Sequence, residues 1–297
     1  MIYLHFIVNP ISGKGKHNIT KGLLEAYFPT EKYKIDIDYS KYKKHAITLT
    51  KAAIEKQPDV IVACGGDGTI NEVASCLINT EIQLGIIPIG SGNGLASNLK
   101  IPQNIDKAIL IIKNGQAKAI DVGRVNEHYF FSNMGLGIDA MIIHNYEKHQ
   151  KRTLSAYVKA SMKASTAYKA PKAIVQMNNK TLEVAPFMLF ISNSNEMGYK
   201  MSLTPSASLR DGLLDLLIVE KLNFLNKMYL GGLVLFNKTE KLKKSHRDLI
   251  QKATIIFPEN ETTDIQIDGE YYNLSTNIIN VSVLPHSLKI LLNEEVV

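Results

Sequence analysis

The chain of 297 residues is short of several things, and each shortage narrows what it can be. It has two cysteines, Cys64 and Cys76, with no CxxC spacing. A disulfide framework is therefore not expected, and both thiols read as inert core or helix residues in a reduced, cytosolic setting. No run of about 18 apolar residues occurs, the longest uncharged stretches being broken by Gly, Pro, Asn and Ser, so no membrane-spanning helix is expected. Met1–Val8 lacks a basic n-region and a small-residue cleavage site, and reads as a first strand rather than a secretory signal. The glycine-rich turn that follows it lacks the GxxxxGK[ST] spacing of a P-loop. No nucleic-acid motif accompanies the positive charge, so a nucleic-acid partner is not expected.

What is present is a composition of 45% hydrophobic and 21% charged residues, that of a globular protein. The length suggests two domains. Net charge is +6, unevenly spread. Residues 141–172 carry Lys148, Lys151, Arg152, Lys159, Lys163, Lys169 and Lys172 against Glu147 alone. Residues 221–247 carry Lys221, Lys227, Lys238, Lys241, Lys243, Lys244 and Arg247 against Glu240 alone. Each segment nets +6, which leaves −6 for the remainder. Such segments suit an anionic surface, and solvated helix faces would show the same pattern.

The most informative stretch is Cys64-Gly65-Gly66-Asp67-Gly68-Thr69-Ile70-Asn71-Glu72. It follows the apolar run 59–63, which reads as a buried parallel strand, and precedes a helix expected from Thr69 to about Asn79. Three glycines there would permit φ > 0 and let a ligand approach the main chain. Backbone N–H groups backed by a helix dipole then make an anion cradle, most naturally for phosphate. Asp67 would repel that phosphate unless Mg²⁺ or a proton intervenes, which suggests a metal–nucleotide site. An ordinary βα turn would also carry this pattern.

Two further glycine-rich turns flank it, Asn9-Pro10-Ile11-Ser12-Gly13-Lys14-Gly15-Lys16 and Ile89-Gly90-Ser91-Gly92-Asn93-Gly94. Helices are expected over 17–28, 43–56 and 105–113, and strands over 33–39 and 84–88. The alternation implies a parallel sheet with its ligand beyond the strands' carboxyl ends, where the loops meet. From residue 116 the texture changes to strands, expected over 118–125, 128–133, 172–177, 181–191, 213–219, 253–257, 263–268 and 277–284. This half reads as an antiparallel sandwich interrupted by a helix over 222–244. In it, Ser208-Leu209-Arg210-Asp211-Gly212-Leu213-Leu214-Asp215 suits either a hard cation or a plain Asp-Gly turn, and Asp268-Gly269-Glu270 suits either an acid pair or a turn.

Together, Asn9-Pro10-x-Ser12-Gly13, Gly65-Gly66-Asp67-Gly68-Thr69, Gly90-Ser91-Gly92-Asn93, Asp211-Gly-Leu-Leu-Asp215 and Asp268-Gly269-Glu270 closely resemble the diacylglycerol kinase catalytic family. That family includes bacterial soluble lipid kinases and the sphingosine and ceramide kinases. The resemblance implies an α/β ATP-binding domain over 1–124, with a parallel sheet like that of phosphofructokinases and NAD kinases. An antiparallel β-sandwich for the lipid would follow over 125–297, its last residues being candidates to return to the first domain. ATP would meet Asn9, Pro10, Ser12, Gly13, Lys14, Ser40, Gly65, Gly66, Asp67, Gly68, Thr69, Asn71, Gly90, Ser91, Gly92 and Asn93. A structural Mg²⁺ would fall on Ser208, Asp211 and the Leu213 carbonyl. Asp268 takes the place of the general base, with Glu270, Asp121 and Asp67 around the catalytic metal, and Asp139 matches a lipid-substrate position. One departure is Gly94, where bacterial diacylglycerol kinases usually carry Asp.

The implied reaction is transfer of phosphate from ATP to a primary hydroxyl of diacylglycerol or a related lipid, a long-chain base included. The enzyme would be cytoplasmic and peripherally bound to an anionic membrane, with room for a homodimer. Alternatives are a soluble-substrate kinase of the NAD kinase type and a membrane-binding regulator with a degenerate site.

Overall fold

The run Val60–Gly65 has no polar alternation because, in the computed structural model of the chain, it is a strand buried at every position. The structure describes residues 1–15, 17–90, 92–148, 154–196 and 201–293. They divide into two units, Met1–Ile120 joined by the C-terminal stretch from His286, and Asp121–Pro285.

In the first unit the strand order is Tyr33–Tyr39, Ile2–Val8, Val60–Gly65, Gln83–Pro88, all parallel. The end of the long strand Ile278–Leu292 continues this parallel sheet, Ile290 facing Leu84. Helices Lys21–Tyr27, His45–Ile54, Asp67–Leu77 and Ile105–Asn114 connect or follow these strands. The first of them starts at Lys21 rather than His17, because Thr20 caps it by accepting from the Leu23 N–H at 3.3 Å. The helix after Val60–Gly65 begins at Asp67, two residues earlier than its apolar spacing suggests.

In the second unit a six-stranded antiparallel sheet runs Ser245–Ile250, Leu214–Val219, Met188–Ser192, Asn133–Gly137, Thr263–Ile267, Glu270–Leu274. One face buries Leu136, Leu189, Ile191, Leu216 and Ile265 against Val175, Ile255, Ile279 and Val281 of strands in a second sheet, which is the sandwich core. Its other face buries Phe190, Leu217 and Val219 against Ala160, Ala164, Leu230 and Leu233 of helices Leu154–Ala167 and Phe224–Leu235. Because both faces are covered, Met188–Ser192 is buried at all five positions and shows no alternation.

Several expected elements are revised. The stretch 181–191 is two strands, Lys180–Val184 and Met188–Ser192, because Pro186 has no N–H for a ladder. The helix expected over 222–244 stops at Leu235, with Asn237 in the left-handed region at φ 51°. A strand, Ser245–Ile250, begins soon after it. Glu270–Leu274 is likewise a strand, the return arm of a hairpin turned by Asp268 (φ 47°) and Gly269 (φ 81°). Two positive φ values in succession are those of a type I′ turn.

Candidate active site

Strand order reverses at Ile2–Val8, whose chain neighbour Tyr33–Tyr39 lies on one side and Val60–Gly65 on the other. Such a switch point leaves a crevice beyond the carboxyl ends of the two strands. Asn9 spans it. Its N–H donates to the Cys64 carbonyl (2.9 Å) and its Nδ2 to Thr69 Oγ1 (3.1 Å). Beside it Gly13, at φ 59°, sits so close to Ile89 that a Cβ would come within 2.8 Å of that side chain. Ser40 is buried at the end of its own strand, its N–H donating to the Val8 carbonyl at 2.8 Å.

The glycines of the central turn do not use the left-handed freedom that their spacing suggests. Neither Gly65, Gly66 nor Gly68 has a positive φ; Gly66 is at φ −90°. Gly65 and Gly66 instead allow close approach. A Cβ on Gly65 would strike the Thr69 side chain at 2.5 Å, and one on Gly90 would stand 2.6 Å from the Gly66 Cα. Two main chains touch at Gly66 and Gly90, a contact that a Cβ on Gly90 would force apart and one on Gly66, at 3.3 Å from the Gly90 Cα, would crowd.

Asp67 holds the same two loops together. Its Oδ2 accepts from the Asn93 N–H (2.8 Å) and its Oδ1 from the Gly94 N–H (2.6 Å). Each carboxylate oxygen is thus engaged by a main-chain donor of the third loop. Asn93 is buried at φ 52°, donates to the Gly90 carbonyl (2.6 Å), and its Oδ1 has no partner among the described residues. Asn71 Oδ1 accepts from Ser75 within the helix. Ser91 and Lys16 lie outside the described residues, as does the Lys14 side chain.

In the second unit Asp268 and Asp121 are each held by main-chain N–H groups. Asp268 Oδ2 accepts from the Phe131 N–H (2.9 Å), and Oδ1 from those of Ser132 (2.8 Å) and Asn133 (3.0 Å). Asp121 is fully buried, its Oδ2 accepting from the Gly212 N–H (2.7 Å) and its N–H donating to the Leu209 carbonyl (2.7 Å). It thereby clasps the turn that contains Ser208, Asp211 and Leu213. Within that turn Asp211 Oδ1 accepts from the Leu213 N–H (3.0 Å) and Ser208 Oγ from the Arg210 N–H (3.2 Å). Burial, then the charge of Asp211, push the Asp215 carboxyl up to about 6 against the pull of Arg247. Glu270 accepts from the Tyr272 hydroxyl at 3.3 Å.

Residues 3–125 match the family model described as the diacylglycerol kinase catalytic domain, and residues 132–292 match the YegS C-terminal NAD kinase beta sandwich-like domain. The chain belongs to the diacylglycerol kinase catalytic family. A protein named diacylglycerol kinase from Bacillus subtilis is 28% identical over 272 residues, 89% of this chain and 88% of the relative. Another of that name, from Staphylococcus saprophyticus, is 28% identical over 98% of this chain and 97% of its own. Among solved structures, a putative diacylglycerol kinase from Bacillus anthracis superposes with a TM-score of 0.80 at 21% identity, covering 99% of this chain and 96% of that one. An NAD kinase from Archaeoglobus fulgidus in complex with ATP shares the fold more distantly, with a TM-score of 0.54 at 11% identity over 99% of this chain and 95% of that one. As a member of the diacylglycerol kinase family the chain is an ATP-using kinase.

Asp139 stands in the first turn of helix Ile138–Glu147 and is 3% exposed. Burial raises its carboxyl to about 6, partly offset by a hydrogen bond from Gln266. Its Oδ2 has no partner among the described residues. Gln266 also donates to Asn133 Oδ1 (2.8 Å) and accepts from the Gly269 N–H (2.9 Å), which ties Asp139 to the Asp268 turn. Gln266 went unnoticed in the sequence because strand alternation turns it outward, whereas it is buried. Asn193 was missed too. It is wholly buried and donates to the carbonyls of Asp121 (2.8 Å) and Phe131 (3.1 Å), joining the two acid centres. A polar run, Ser192 to Asn195, directly after an apolar strand was its signal.

The basic segments are not uniform surfaces. Lys227 donates to the Ser165 carbonyl and lies 4.9 Å from the centre of the Phe187 ring, while Arg247 donates to the Leu203 carbonyl at 3.3 Å. Lys221, Lys238, Lys241, Lys243 and Lys244 are exposed, as are Lys148, Lys159, Lys163, Lys169 and Lys172. Lys151 and Arg152 lie outside the described residues. No described helix is long and apolar enough to cross a membrane.

Proposed function

We propose that this kinase transfers the γ-phosphoryl group of ATP to a primary hydroxyl of diacylglycerol or a related membrane lipid. The observation that carries the reading is the closure of three glycine-bearing loops on one another beyond one edge of a parallel sheet, with Asp67 bonded to the third. Phosphoryl transfer needs positioning and charge neutralisation more than covalent chemistry, and a rigid set of backbone N–H groups supplies both. Residues 9–14, Ser40, 65–71 and 90–93 are read as the nucleotide contacts. Asp139, in an apolar setting with an unpartnered oxygen, is read as a contact for the polar end of the lipid. Relatives named diacylglycerol kinase support the substrate class.

Asp268 is read as the group that takes the hydroxyl proton, supported by Glu270 and Asp121. Ser208 Oγ, Asp211 and the Leu213 carbonyl are all oxygen donors, and the Asp215 carboxyl beside them is raised by burial and then by Asp211, so the turn suits a hard cation. Mg²⁺ held there would order this turn and neutralise negative charge. Peripheral attachment to an anionic membrane is part of the same proposal, and a homodimer is compatible with it.

Incubation with γ-labelled ATP, Mg²⁺ and extracted lipids, beside NAD as a soluble acceptor, tests the reading. Label in a lipid phosphate supports it. Label on NAD favours a soluble-substrate kinase, and label on neither acceptor favours a regulator with a degenerate site.

A further inference from the structure

Helix Phe224–Leu235 buries Leu230 and Leu233 in the core and turns its opposite side to solvent. A surface helix normally makes that side polar. Here it presents Phe224, Leu225, Met228 and Tyr229, and just past its end Phe236, which are 71%, 74%, 64%, 48% and 74% exposed. The single lysine within the helix, Lys227, is drawn inward to the Ser165 carbonyl and the Phe187 ring, so it leaves the outer face uncharged. Ser165 belongs to helix Leu154–Ala167, which exposes Val158 and Met162, one turn apart, on the same side of the sheet. Isolated exposed apolar residues are ordinary; a continuous row of them is an interaction surface.

Charge identifies the occupant. Lys221 precedes the helix, and Lys238, Lys241, Lys243 and Lys244 follow it, all exposed and without an ion-pair partner among the described residues. Lys159 and Lys163 flank Met162 on the neighbouring helix. An apolar row bordered by lysines matches a bilayer with anionic headgroups, the apolar side chains entering the acyl boundary and the ammonium groups staying at headgroup level.

We infer that helix Phe224–Leu235 is an in-plane anchor that inserts Phe224, Leu225, Met228 and Tyr229 into an anionic membrane. The choice of partner rests on the lipid-kinase reading, but insertion is measured without substrate, so either can fail alone. The chain has no tryptophan, which makes Met228→Trp a unique reporter. With vesicles of mixed phosphatidylglycerol and phosphatidylcholine, its emission should shift to shorter wavelength and be quenched by brominated lipid. The pair Phe224→Ser, Leu225→Ser should lower vesicle affinity about tenfold or more, and the loss should persist in high salt, which screens the lysines but not apolar burial. Unshifted emission with vesicles overturns the inference. So does a shift that brominated lipid fails to quench, or one produced by raising protein concentration without lipid, which would assign the face to a second copy of the chain.

Discussion

Asp268 and Asn133 hold each other at two points: the Asp268 N–H donates to the Asn133 carbonyl at 2.9 Å, and the Asn133 N–H donates to Asp268 Oδ1 at 3.0 Å. The Asp-Gly pair is therefore a hairpin turn and an acid centre at once. With Phe131 and Ser132 also donating, both carboxylate oxygens serve the fold. An amide in that place offers one acceptor and one donor, so a main-chain N–H would face an NH₂ group. Asp268→Asn should then lose about 10² to 10⁴ in kcat as a missing base and about 1 to 3 kcal/mol of stability as an unsatisfied donor. Rate assays paired with thermal melts check this. A kcat loss at unchanged Tm would confine the residue to chemistry, and unchanged kcat would remove it from the mechanism.

Gly90→Ala should be worse than Gly66→Ala, since the new Cβ meets the Gly66 Cα at 2.6 Å in the first case and the Gly90 Cα at 3.3 Å in the second. Prying two backbones apart costs about 1 to 3 kcal/mol, and ATP affinity should fall with it. Equal nucleotide affinities by calorimetry in the two variants would show that loop contact does not govern the cradle.

If the turn around Asp211 holds Mg²⁺, added Mg²⁺ should raise the Tm of the native chain and chelation should reverse the rise. In Asp211→Asn the rise should be mostly lost. An unchanged Mg²⁺ response in that variant would move the cation elsewhere.

Asp139 gives the chain a pH dependence of definite sign. Its folded-state value of about 6 lies above the ordinary 3.8 because burial disfavours the charge. The native state therefore keeps a proton that the unfolded chain gives up. That stabilisation is complete below pH 3.8 and is lost as pH rises through about 6. At about 1.4 kcal/mol per pH unit, the loss is at most about 3 kcal/mol. Asp139→Asn should melt higher than the native chain at pH 8 and nearly with it at pH 4. Asp215, raised to a similar value, acts in the same direction, so the slope should shrink rather than vanish. Parallel melting curves for variant and native chain across that range would exclude Asp139 as the source.

Short-range spacing determined much of this protein. The three glycine turns, the alternation of strand and helix before residue 116, the strand-rich second half and the Asp268-Gly269 turn are all written in neighbouring residues, because dihedral freedom and side-chain periodicity are local properties. Tertiary structure decided what those residues meet. Only in the fold does Gly66 touch Gly90, Asp67 bind the amides of Asn93 and Gly94, and Asp268 bind those of residues 131–133. Met188–Ser192 and Leu214–Val219 lose their alternation because core lies on both faces of their sheet, and Asn193, past the strand end, becomes a buried connector through the Asp121 and Phe131 carbonyls it meets. Lys227 is a surface charge by composition and an inward anchor by contact. A charge or an apolar side chain acquires its role from what lies across from it, and that neighbour is set by strand pairing and helix packing between residues far apart in the chain.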